Sequence, residues 1–165
     1  MGRTVQRDPK KLEYPLIVKS QSEHASTGIS QASIVRDLKS LTERVEFVHR
    51  NVGTGAIAEE FIEGRELTIG VLGNRRLTTM PVWEMTFGNL PAGAPTIATS
   101  RVKWDLDYQK QIQLKTLAAV DLPEGEAQSI ARLAKRVYRA LDLSGFARVD
   151  LRLDERGRVW VLEAN

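Results

Sequence analysis

Arg148, Asp150, Glu163 and Asn165 are the residues of this chain best equipped for chemistry. They lie in its last stretch, FARVDLRLDERGRVWVLEAN, where two alternating runs flank Asp154-Glu155-Arg156-Gly157. Alternation on both sides of such a turn-rich tetrapeptide predicts a β-hairpin. An even-length loop sets Leu151 opposite Trp160 and Val149 opposite Leu162. Val149, Leu151 and Leu153 then share a buried face with Trp160, Leu162 and Ala164, and the other face collects Arg148, Asp150, Glu163 and Asn165. A slip of one residue would mix the two sets, so burial argues for this register. Three oxygen-bearing side chains beside one guanidinium suit Mg2+ and a phosphate, because Mg2+ takes only a few hard oxygen ligands from protein. The solvated outer face of an ordinary hairpin would use the same four residues equally well.

Other residues that could meet an anion are spread along the chain. Leu16-Ile17-Val18-Lys19 predicts a short buried strand ending in a lysine, followed by the small, polar loop SQSEHASTGIS at 20–30. Such a loop can offer backbone N–H groups to a phosphate that Lys19 also reaches, although the order of a Walker loop is absent. Strands are predicted over Ala56–Ile62 and Glu66–Leu72, joined by Glu63-Gly64-Arg65. Their backbone could bond an adenine edge and Glu66 a ribose, or the pair could be a plain acidic hairpin. Leu77–Phe87 and Thr96–Trp104 read as further strands, the second ending in Lys103-Trp104, where a lysine serves a phosphate oxygen or merely snorkels.

Two helices must support these strands. Ile34, Leu38, Leu41, Val45 and Val48 form an apolar stripe over Ser33–His49, with Ser33 as N-cap. A second helix opens at Pro123-Glu124 and buries Ala127, Ile130, Ala134, Val137 and Leu141. His24 and His49 are isolated from each other and read as surface residues.

Composition narrows the function classes. The 165 residues include 24 Lys+Arg and 21 Asp+Glu, a net charge of +3 that suits a nucleotide but does not call for DNA or RNA. Absence of cysteine excludes disulfides, zinc–thiolate sites and thiol catalysis. No apolar run has membrane-spanning length, and MGRTVQRDPKKLEYP lacks the apolar segment of a signal peptide, so a cytoplasmic protein is expected.

In order and spacing, LIVK (16–19), ASTGIS (25–30), EEFIEGRE (59–66), RVKW (101–104), FARVDLRLDERG (146–157) and VLEAN (161–165) resemble the ATP-grasp family. Within it they are most similar to the D-alanine–D-alanine ligase-like branch, over nearly all of Tyr14 to Asn165. The resemblance implies an α+β fold, two lobes of mostly antiparallel sheet with packed helices that hold nucleotide between them. Residues 1–64 would form the small lobe and 65–165 the large one. It implies that Lys19 contacts the α- and β-phosphates with the loop residues Ser26 and Thr27, and that Lys103 acts on the terminal phosphates. The backbone at Glu60, Phe61 and Ile62 would take adenine, with Glu66 on the ribose. Asp150, Glu163 and Asn165 would hold Mg2+ or Mn2+, and Arg148 would stabilise the reacting phosphoryl and carbonyl oxygens.

The chemistry so implied phosphorylates a carboxylate with ATP, and an amine then attacks the acyl phosphate to give an amide, ADP and phosphate. Positioning and charge neutralisation carry such a reaction. A ligase for other amino-acid or peptide substrates, or a nucleotide-binding module without turnover, are the alternatives. Neither nucleic acid nor membrane is an expected partner, and a homodimeric full-length protein is compatible with the resemblance. Ala25 stands where the family carries a serine and Trp104 where it carries a tyrosine. The family's N-terminal substrate domain and its final Asn-Pro-Gly-type segment are not in the sequence. The 165-residue chain is therefore expected to keep nucleotide and metal residues without forming the amide itself.

Overall fold

The structure, a computed structural model, describes residues 11–23 and 26–165. The polar lead-in before Lys11 and the loop residues His24 and Ala25 lie outside the described residues. Two compact units are formed, one by the chain up to Phe61 with Leu90–Ile112, the other by Ile62–Asn89 with Gln113–Asn165. Residues 90–112 thus group with the first unit.

In the first unit, β1 (Leu16–Ser20) lies between β2 (Ile34–Val35) and β3 (Ala56–Glu60), antiparallel to both. Helix α1 (Leu38–Phe47) presents Leu41 and Val45, with Val48 just beyond it, to Leu16, Val18 and Val35. The predicted start at Ser33 is wrong, because the Ser40 N–H donates to the Asp37 carboxylate at 2.7 Å and so fixes the cap there. The β-branched pair Ile34 and Val35 joins the sheet instead. After α1 the chain widens into a π-turn at Val48–Val52, ended by Gly53 in the left-handed region.

Helices α2 (Ser100–Trp104) and α3 (Leu106–Gln111) complete this unit and replace the strand expected over Thr96–Trp104. Thr99 Oγ1 accepts the Val102 N–H at 3.1 Å, and Asp105 Oδ1 accepts the Tyr108 N–H at 2.9 Å. Side-chain caps therefore win over an apolar alternation too short to specify a strand.

The second unit is a five-stranded antiparallel sheet in the order β6-β5-β4-β7-β8, comprising β4 (Arg65–Leu72), β5 (Thr78–Phe87), β6 (Leu114–Ala118), β7 (Phe146–Leu153) and β8 (Val159–Ala164). β3 and β4 lie in different sheets, so Ala56–Ile62 and Glu66–Leu72 are not the arms of one hairpin. Helix α4 (Glu126–Ala140) packs Ile130, Ala134 and Tyr138 onto Leu67, Ile69, Val71, Val149 and Leu151. It begins after Gly125, later than Pro123-Glu124 suggests. Tyr138 takes the buried place expected for Leu141, which is 56% exposed, and its hydroxyl donates to the Gly73 carbonyl at 2.7 Å. No helix among the described residues is long and apolar enough to cross a membrane.

The β7–β8 hairpin departs from the expected register. Asp154 N–H donates to Arg158 O and Gly157 N–H to Asp154 O, both at 3.0 Å, which closes an odd-length loop around Gly157 at φ 74°. Leu151 therefore faces Val161, and Arg152 faces Trp160. A shift between Asp150 and Leu151 then places Val149 opposite Ala164 and Asp150 opposite Glu163. Leu162, expected in the core, is 48% exposed on the edge strand, and Trp160 lies on the opposite face to the one assigned. The turn and the bulge each move the register by one residue, so the polar grouping survives the error.

Candidate functional site

Alternation along β7 sends Ala147, Val149, Leu151 and Leu153 to the core and leaves Arg148, Asp150 and Arg152 on the other face. Arg148 donates to both Asp150 oxygens, Nε to Oδ1 at 2.6 Å and Nη2 to Oδ2 at 2.7 Å. Hydrogen bonding to Asp150 raises the guanidinium above its ordinary value against its own desolvation, and the charges of Glu163 and Glu66 add to this. The Asn165 amide nitrogen donates to Asp150 Oδ2 at 3.2 Å, and the backbones of Arg148 and Asn165 exchange two hydrogen bonds. The four residues named from the sequence thus sit together at one end of the sheet.

Their donor set fits Mg2+ or Mn2+. Asp150 and Glu163 are register partners, and Asn165, whose nitrogen is turned to Asp150, offers its carbonyl oxygen as a third hard ligand. Among the described residues no group of three or more His, Asp or Glu could hold a metal, so phosphate and water would supply the other positions.

Toward the other end of the same face, Glu66 on β4 stands opposite Arg152 in the ladder. Arg152 Nη2 donates to Glu66 Oε2 at 3.0 Å, and Nη1 donates to the Ile62 and Gly64 carbonyls at 3.1 and 3.4 Å. Only 4% of the Arg152 side chain and 15% of Glu66 are exposed. Burial pulls the Arg152 guanidinium below its usual value, and the Glu66 charge opposes that. Arg65, on the opposite face of β4, forks onto Glu84 at 2.8 and 2.6 Å and reaches the Val120 carbonyl at 2.7 Å.

In the first unit, Lys19 pairs with Glu59 on the neighbouring strand at 2.6 Å, with both side chains partly exposed. Ser26 (φ 63°) and Gly28 (φ 71°) shape the described end of the small-residue loop, where Ile29 N–H closes onto Ser26 O at 2.9 Å. Ser100 Oγ, at the start of α2, donates to the Ser26 carbonyl, and Ser100 N–H donates to Ile29 O at 3.1 Å. From α1, Arg44 donates to the Gly28 carbonyl. Thr27 is therefore carried on a turn held from two helices. Glu60 accepts the Glu13 N–H at 3.0 Å, and the buried Phe61 donates its N–H to Pro15 O at 2.8 Å. Lys103 is exposed on α2 beside Trp104, which is 73% exposed.

A family model described as the D-ala D-ala ligase C-terminus matches residues 2–165. The chain belongs to this ligase family. It is 34% identical over 161 residues to the D-alanine–D-alanine ligase of Bordetella petrii, an alignment covering 95% of this chain and 44% of that protein. To the enzyme of the same name from Acetivibrio thermocellus it is 32% identical over 162 residues, covering 98% and 39%. Two solved structures share its fold. The D-alanine–D-alanine ligase of Bacillus anthracis complexed with ATP has a TM-score of 0.66 at 22% identity, covering 99% of this chain and 46% of that one. The VanG D-Ala:D-Ser ligase of Enterococcus faecalis has a TM-score of 0.69 at 23% identity, covering 93% and 40%. The architecture is α+β and ATP-grasp. This ligase-family chain spans less than half the length of these curated relatives.

Arg152, Arg44 and Ser100 escaped the sequence reading of this ligase-family chain. For Arg152 a signal existed, since alternation puts it on the same face as Arg148 and Asp150. Arg44 and Ser100 gave none, because both act on the loop carbonyls at 26–28 from elements remote in sequence.

Proposed function

We propose that this chain is the nucleotide-binding part of an ATP-dependent carboxylate–amine ligase of the D-alanine–D-alanine type. Support comes chiefly from the gathering of Arg148, Asp150, Glu163 and Asn165 on one sheet face in a chain of that family. Asp150, Glu163 and the Asn165 carbonyl would hold Mg2+, which when bound neutralises phosphate charge. Lys19, Ser26, Thr27 and Lys103 would bind phosphate oxygens, the first three from β1 and the turn that follows it. The backbone at Glu60, Phe61 and Ile62 would read adenine, and Glu66 would accept from the ribose hydroxyls.

Arg148 would balance the negative charge that develops as a substrate carboxylate oxygen bonds to the γ-phosphorus and ADP leaves. It would then polarise the acyl phosphate carbonyl as the amine nitrogen attacks, loses a proton and expels phosphate. None of these steps needs a covalent bond to the protein. Use of ATP would suit a cytoplasmic enzyme.

Calorimetry on the 165-residue chain tests the nucleotide part. Lys19→Met and Lys103→Met should each weaken Mg2+-ATP binding several-fold and leave adenosine binding unchanged. Equal losses for both ligands would make the lysines structural. ATP- and D-alanine-dependent phosphate release with mass detection of the dipeptide, on the full-length protein, tests the reaction. A full-length protein that makes no amide would refute it.

A further inference from the structure

A nearly buried arginine on the functional face of a sheet needs an explanation, because burial of a guanidinium is tolerated only when its donors are engaged. Arg152 engages Glu66 and the carbonyls of Ile62 and Gly64 with one planar fork. Ile62 and Gly64 belong to the short connector that opens the second unit and leads into β4, and Glu66 is the second residue of β4 itself. Two further features hold this connector. A Cβ on Gly64 would lie 2.2 Å from the Leu153 carbonyl oxygen, and its φ is 144°, so only glycine fits where the connector crosses the end of β7. Arg65 pins the next residue from the opposite face through Glu84 and the Val120 carbonyl. The segment is built to have one conformation, and Arg152 is the side chain that links its backbone to the Glu66 carboxylate.

We propose that Arg152 is a positioning residue for the nucleotide: it sets Glu66 and the 62–64 backbone in the arrangement that receives ribose and base. The proposal rests on the nucleotide reading given above. A lysine could offer Glu66 the same charge but not the planar fork that reaches two carbonyls as well. Alignment of the carboxylate, more than local charge, is what Arg152 contributes.

Two measurements on the 165-residue chain decide it. The first is the ratio of affinities for Mg2+-ATP and Mg2+-2′,3′-dideoxy-ATP, which reports the ribose contact independently of the amount of folded protein. A carboxylate hydrogen bond should give the unaltered chain about a tenfold preference for ATP. Glu66→Gln and Arg152→Lys should each reduce the preference to about threefold or less. If Glu66→Gln abolishes it and Arg152→Lys keeps it, Arg152 does not position the carboxylate and the proposal is overturned.

The second is amide hydrogen exchange without nucleotide. Arg152→Lys should speed exchange at 63–66 by about tenfold while the Val149 and Leu151 amides stay protected. Unchanged exchange at 63–66 overturns the proposal even where the chain binds no nucleotide. A Glu66→Gln variant that keeps the full ATP preference defeats the ribose reading instead, and the exchange result still decides whether Arg152 holds the connector. Should Arg152→Met fail to fold, Arg152→Lys, which keeps the charge, carries both arms.

Discussion

Arg148 and Arg152 occupy one face of one strand, and each bonds an acidic side chain, but their surroundings differ. Arg148 is 51% exposed and bonds a carboxylate of its own strand. Arg152 is 4% exposed, bonds across to β4 and spends a second nitrogen on backbone carbonyls. The Asp150 carboxylate is 15% exposed, the same as Glu66, so the two pairs differ in the cation, and a half-exposed guanidinium can exchange its partner for water or phosphate more cheaply than a buried one. Exchange at the buried pair is costly, because removal of either partner leaves the other's charge desolvated without its counter-ion. One end of the strand is thus arranged to change partners and the other to keep them.

The largest difference should appear in stability. Arg152→Met is expected to cost about 3–5 kcal/mol, whereas Arg148→Met, which removes a half-exposed guanidinium, should cost clearly less. The double variant Glu66→Leu/Arg152→Met should recover most of the loss, since it removes both charges. Denaturant unfolding of the three variants measures this, and equal costs at the two arginines would erase the distinction.

The connector gives the next largest effect. Gly64→Ala should cost about 2–3 kcal/mol, because the new methyl meets the Leu153 carbonyl at 2.2 Å as well as an unfavourable φ. Gly157→Ala, at φ 74° with nothing within 4 Å, should cost only about 1 kcal/mol. If the two cost the same in unfolding experiments, close approach of the connector to β7 contributes nothing.

At the exchangeable end, Asp150→Asn should lower Mg2+-ATP affinity about tenfold, or ~1.4 kcal/mol, with metal-free binding nearly unaffected. Calorimetry with and without Mg2+ tests it, and matching losses would remove Asp150 from the metal set.

The smallest effect lies at the turn. Asp154 is desolvated, which would raise its pKa, but the Trp160 indole, the Arg158 backbone and guanidinium and the Arg156 N–H all donate to it and hold it far below 3.8. A carboxylate depressed on folding contributes stability that is full above its unfolded value near 3.8 and is lost as pH falls through the folded one. Exchange protection of Trp160 and Val161 should therefore persist at pH 4 and decline only well below 3.8. In Asp154→Asn that acid dependence should disappear, and a wild-type decline centred above pH 4 would contradict the assignment.

Much of this arrangement was legible in the residues themselves. Alternation of Val149, Leu151 and Leu153 with Arg148 and Asp150 is enough to define two faces of β7, since side chains of a strand point alternately. Grouping of Glu163 and Asn165 with Arg148 and Asp150 was also visible, although the assumed loop length was wrong. The bulge that restores it depends on how an edge strand meets its neighbour, which no local propensity encodes. At Thr99 and Asp105 the opposite failure occurred, because short caps made helices of a segment whose apolar spacing suggested a strand.

By itself the sequence determined the residue types, the alternation of the strands, the apolar stripe of α1 and the order of motifs that marks the family. Tertiary structure alone decided which arginine is buried, that residues 90–112 join the first unit, and that Ser100 and Arg44 hold the loop carbonyls. Local pattern is set by steric and rotamer preferences acting over a few residues. Burial of a charge and closure of a long loop depend on groups distant in the chain, and only folding brings those together.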